Sequence, residues 1–158
     1  MQQVSIQPIG VINTSFTEKS GVPIQAKYGD EFVGEILLET QYVEGLKDLD
    51  GFSHIHLIYH FNQHSDYQLQ VVPYMDDQPR GVFATRAPTR PSGIGMSLVR
   101  LLSVEGNRIR FAGVDMLDGS PLLDIKPYYR DIDERTDAVC GWLEQGVERQ
   151  RTRSDGRF

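Results

Sequence analysis

The chain has 158 residues, with 16 Lys and Arg against 22 Asp and Glu and a formal net charge of −6. That length supports one domain over residues 1–158 whose core needs no staple, and a single cysteine, Cys140, excludes an internal disulfide. The acidic balance excludes generic binding to a phosphate backbone. No segment has the run of apolar residues a membrane helix requires, and the first ten residues lack a basic start, so a cytoplasmic protein with no membrane partner is expected.

Taken in chain order, "SIQPIGVI" (5–12) and "GEILLE" (34–39) read as short strands. "ETQYVEGLKDLDG" predicts a short helix, with Tyr42, Leu46 and Leu49 at helical spacing and Gly51 as its stop. The clearest signal is "FSHIHLIYHF", where Ile55, Leu57, Tyr59 and Phe61 alternate with His54, His56, Ile58 and His60. A period of two marks a strand with one apolar face. Zinc would need three or four converging ligands, and this histidine spacing fits no such set, so no metal is expected.

"YQLQVV" (67–72), "GVFATR" (81–86), "SLVRLLSVE" (97–105) and "RIRFAGV" (108–114) continue the strand series, and Glu105-Gly106-Asn107 supplies a hairpin turn. Asp118-Gly119 is a further turn signal, leading through Ser120-Pro121 into "LLDI". "DIDERTDAVCGWLEQGVERQ" predicts a C-terminal helix at about 132–149, with Ala138, Trp142 and Val147 along one side and Cys140 buried beside the tryptophan. The final "RQRTRSDGRF" is expected to fray. These elements add up to a mainly β fold, a small antiparallel barrel with a short helix and a C-terminal helix.

Charge is unevenly spread. Residues 76–110 hold six arginines against three acids, whereas residues 1–75 hold three Lys or Arg against nine. The basic stretch includes "GVFATRAPTRPSGIGMS", two arginines among prolines and glycines, which suits a compact anionic target better than a broad basic surface. A GxSxG elbow, a P-loop and a GxGxxG opening a helix are all missing, which disfavours a serine hydrolase and a doubly wound nucleotide fold. "DIKPYY" places a carboxylate, an amine and two phenols within six residues after the Asp-Gly turn.

Four stretches, "PIGVINTSF", "FSHIHLIYHF", "GVFATRAPTRPSGIGMSLVRLL" and "GVDMLDGSPLLDIKPYY", fall in an order that resembles the TrmO, VirR or TsaA-like (YaeB-like) family over about residues 5–130. The resemblance implies a single-sheeted β-barrel homodimer and an S-adenosylmethionine-dependent methyltransferase. Its best-described members methylate N6 of threonylcarbamoyladenosine beside the tRNA anticodon. Carried onto this chain, the cofactor contacts are Gln25, Asn62, Gln63, Arg86, Met96, Leu117, Asp118, Gly119 and Ser120, with Arg90 serving cofactor or RNA.

Three departures stand out. Ile24 sits where the family commonly has arginine, and Ser92-Gly93 replaces Asn-Pro, which is expected to loosen that loop. The additional C-terminal domain of many bacterial members is also not expected here. Because the lone pair of an exocyclic amine is delocalised, methyl transfer to it gains from a base or a polar clamp. The candidates are Asp124, Lys126 and Tyr128, with Tyr59 more distant. The alternatives are a non-catalytic S-adenosylmethionine-binding regulatory dimer and a methyltransferase for a small molecule.

Overall fold

A computed structural model describes residues 1–145, 153–155, 157 and 158. Ten strands follow one another: β1 (Gly10–Asn13), β2 (Ser20–Pro23), β3 (Val33–Leu38), β4 (His54–His60), β5 (Gln70–Val71), β6 (Arg80–Gly81), β7 (Ile94–Glu105), β8 (Arg108–Ala112), β9 (Ser120–Pro127) and β10 (Arg153–Asp155). Six of them close an antiparallel barrel in the order β1-β3-β8-β7-β4-β9, with β9 returning to β1. Closure leaves the barrel without a free edge.

Alternation in β4 becomes the barrel wall. Ile55, Leu57 and Tyr59 point inward and are almost fully buried, where they pack with Ile12, Ile36, Val99, Ile109, Phe111 and Leu122. The histidines of β4 take the other face. His54 and His56 flank the Tyr128 ring at 6.4 and 6.0 Å, and His56 Nε2 lies 3.7 Å from Asp133. Between β4 and β9 the register slips at Ile58/Tyr59, a bulge of the kind that re-aims side chains. β7 and β8 join at Gly106-Asn107 as the turn signal requires, with Glu105 opposite Arg108.

Several expectations need correction. "GVFATR" is not a strand: only Arg80–Gly81 pairs, with Gln70–Val71, and Val82–Ala84 forms a 3-10 turn instead. "ETQYVEGLKDLDG" folds as two 3-10 segments, Thr40–Leu46 and Leu49–Gly51. Within 132–149 the α-helix α1 (Arg130–Asp133) ends at once, and a 3-10 turn follows at Gly141–Gln145; residues 146–149 lie outside the described residues. Gly141 has φ +56, a left-handed conformation that stops a continuous helix from crossing it. Cys140 is exposed rather than buried. Within the tail, Arg153–Asp155 is ordered rather than frayed, with β10 pairing antiparallel with β2; residues 149–152 and 156 lie outside the described residues.

Candidate functional site

A cavity of about 250 Å³ opens at the side of the barrel where the β4–β9 bulge, the start of β7 and the arginine loop meet. Gln25, Asn62, Gln63, Arg86, Arg90, Met96, Leu117 and Ser120 all line it. Those eight positions come from five separate stretches of sequence that the barrel gathers.

The remaining candidates take other places. Asp118 accepts a hydrogen bond on Oδ1 from the Thr14 backbone N–H at 2.9 Å, and the Gly119 N–H donates to the Ile12 carbonyl at 2.8 Å. The Asp-Gly turn is thus pinned to β1, and it presents the neighbouring Leu117 and Ser120 to the cavity. Asp124, Lys126 and Tyr128 lie on or just beyond β9 outside this lining: Asp124 pairs with Lys126 at 3.1 Å, and Tyr128 faces the histidines.

The arginine loop is held firmly. The Nη1 group of Arg90 donates to the carbonyls of Thr85 and Ala87 at 3.0 and 3.1 Å, tying the loop to itself. Gly93 sits at φ +59, a conformation proline cannot adopt. Its N–H donates to the Arg90 carbonyl, and its own carbonyl accepts from Phe61 N–H at 2.8 Å. At Gly93 this chain's loop is thus hydrogen-bonded through both its N–H and its carbonyl.

At the cavity wall lies a chain of polar groups that the sequence reading did not single out as a unit. Ser97 Oγ donates to Asp115 Oδ1 at 2.6 Å, and Tyr59 Oη lies 3.0 Å from Ser97 Oγ. The Ser97 hydroxyl has one proton, so when Asp115 is ionised Tyr59 must donate to Ser97. Burial pushes the Asp115 carboxyl up to about 7, while Ser97, the Ala26 backbone amide and the Arg86 charge pull it down. Tyr59 is raised well above the usual phenol range, first by burial and then by Asp115. The signal was available: an acid between Val114 and Met116, both buried, is a charge inside an apolar run.

Gly95 allows the β7 backbone to approach this chain. A Cβ there would lie 2.6 Å from Cε2 of Tyr59 and 2.8 Å from the Phe61 ring. Gly95→Ala is expected to cost roughly 1–3 kcal/mol in denaturant unfolding.

The tail supplies the last wall. Ser154 and Phe158 line the cavity beside Tyr74; Tyr74 Oη and Ser154 Oγ are 2.9 Å apart, and the Tyr74 and Phe158 rings meet edge to face at 5.2 Å. His64, also in the lining, is lowered by burial and by Lys19.

A model of the tRNA-methyltransferase O N-terminal domain matches residues 11–134, most of the chain. The chain belongs to that family. It is 48% identical over 156 residues to a probable S-adenosyl-L-methionine-binding protein of Pyrococcus abyssi, covering 98% of this chain and 85% of that protein. It is 37% identical over 134 residues to the tRNA (adenine(37)-N6)-methyltransferase of Mus musculus, covering 80% of this chain and 31% of the mouse protein. The crystal structure of TrmO from Pseudomonas aeruginosa superposes with TM-score 0.76 at 39% identity, over 89% of this chain and 63% of that one. This chain thus spans under two thirds of the crystallised TrmO, and its likeness to that family is carried by the barrel.

Proposed function

We propose that the chain is an S-adenosylmethionine-dependent methyltransferase acting on N6 of an adenine in tRNA, with threonylcarbamoyladenosine beside the anticodon as acceptor. The observation that carries the reading is the cavity itself, where paired arginines, amide side chains and a buried carboxyl share one apolar pocket. Those residues fit the cofactor. Arg86 and Arg90 offer forked donors to a carboxylate; Gln25, Asn62 and Gln63 offer amides for ribose and base; Met96 and Leu117 offer apolar contact. Bound there, S-adenosylmethionine supplies a methyl group activated on a sulfonium sulfur.

The chain's own part is positioning and proton management. As the acceptor amine gains its new N–C bond it must lose a proton, and the Asp115 carboxylate accepts it. Ser97 and Tyr59 keep that carboxylate oriented, and Arg86 favours its ionised form. Asp124, Lys126 and Tyr128 stand outside the cavity lining, so the role of base passes to Asp115 in this reading.

The enzyme works as a homodimer in the cytoplasm. Supporting the dimer, the outer face of β7 presents Ile94, Met96 and Leu98, each 39–48% exposed, as an apolar stripe that ends at Arg100. No helix among the described residues is long and apolar enough to cross a membrane.

The test is transfer of labelled methyl from S-adenosylmethionine to tRNA carrying threonylcarbamoyladenosine, with tRNA lacking that modification as the control. Label on the modified tRNA alone is the expected result. Cofactor binding by calorimetry with no transfer to either tRNA would support the non-catalytic alternative.

A further inference from the structure

A second cavity, about 540 Å³, adjoins the first. Ile24, Gln25, Tyr74, Arg86, Pro88 and Phe158 line both, so the two cavities meet along that shared lining. Tyr28, Phe83 and Trp142 line the second alone, together with the shared Tyr74 and Phe158.

One of these rings is fixed by its own hydrogen bond, and another is carried on an anchored backbone turn. Phe83 is 75% exposed, yet it rides on a turn anchored on both sides of it, by buried Val82 and by the Thr85 hydroxyl donating to the Val82 carbonyl at 2.8 Å. Trp142 donates from Nε1 to the Ala84 carbonyl at 2.8 Å, and the Arg80 guanidinium sits over its ring at 5.5 Å. A large aromatic carried open to solvent on an anchored turn, lining one cavity with a pinned indole and an arginine, has the form of a stacking platform for nucleobases.

We infer that this second cavity is the subsite for the acceptor nucleotide, in which Phe83 and Trp142 hold an unstacked RNA base against the wall shared with the first cavity. The inference rests on the methyltransferase reading and extends it. A base seated there has Arg86 beside it for the negative charge of its own substituent or of a flanking phosphate. Trp142 lies beyond the 11–134 match, so this wall is contributed by the chain's segment outside the matched family domain.

The experiment compares Phe83→Ala, Phe83→Leu and Phe83→Trp with wild type by three readouts. These are KM for modified tRNA, S-adenosylmethionine affinity by calorimetry, and fluorescence of an anticodon-loop RNA carrying 2-aminopurine at the acceptor position. Loss of one base stack predicts that KM rises about tenfold for Ala and Leu and recovers for Trp, with cofactor affinity unchanged. The 2-aminopurine signal is expected to be quenched by wild type and by Phe83→Trp but not by Phe83→Ala. It does not depend on turnover, so a wild type that transfers no methyl yet quenches the probe sinks the enzymatic reading and keeps the subsite. Unchanged KM and quenching in Phe83→Ala overturn the subsite. A fall in cofactor affinity alone, or a change in sedimentation to a smaller species, also overturns it, because the cavity would then belong to the cofactor or to a second copy of the chain.

Discussion

Asp115→Asn is expected to lower kcat by about 10²- to 10³-fold while raising the melting temperature at pH 8. The two effects have one origin. The folded protein holds the Asp115 carboxyl near pH 7 against an ordinary value of 3.8, chiefly by burial, so the ionised form is costly in the fold. Stability attached to this group is fully present below about pH 4 and is lost as pH rises through about 7. A difference of that size corresponds to at most about 4 kcal/mol. Asparagine keeps an oxygen for the Ser97 hydroxyl and never ionises, so it removes the cost. Thermal unfolding at pH 4 and pH 8 should show variant and wild type together at the lower pH and the variant higher at the upper. The rate profile of wild type should climb through about pH 7 and level off, and the variant should lack that limb. A variant that is stabilised but fully active would remove Asp115 from the chemistry.

Arg86→Ala is expected to weaken S-adenosylmethionine binding by about 10- to 100-fold, the scale of one charge-assisted hydrogen bond. Its second effect is electrostatic. Arg86 is among the groups that pull Asp115 down, so its removal moves the rising limb of the pH profile to higher pH. Arg86→Lys separates the two contributions: a point charge restores the limb, whereas the fork that holds a carboxylate and the bond to Gln25 Oε1 at 2.9 Å are not reproduced. Calorimetry and a pH–rate series on the three proteins check both. Equal cofactor affinity in Arg86→Ala and wild type would take the arginine out of the cofactor site.

The barrel was legible because its signal is local. In β4 each inward residue is apolar, and a period of two over seven residues leaves one reading. The pairing of β2 with β10 had no such trace: "SGVP" and "RSD" are too short for a period to show, and what joins them is the meeting of residues more than a hundred positions apart. The expected C-terminal helix failed for a backbone reason. Ala138 and Trp142 keep helical spacing, but the backbone turns extended at Glu134 (φ −70, ψ 136), and Gly141 takes a left-handed φ. At the site, the arginine loop announced itself by its charge in an acidic chain. Asp115 showed only as a lone acid in the apolar run "GVDML", and its partners became visible when Ser97 and Tyr59 arrived from two strands.

The tail wall has a consequence for how the protein comes into being. Ser154 bonds through its hydroxyl to the Lys19 carbonyl, 135 residues away, and with Phe158 it completes a cavity whose other walls begin at residue 19. A nascent chain can close its barrel once β9 has emerged from the ribosome. The cavity is not whole until residues 154 and 158 have followed, so it is completed only after the scaffold that carries it.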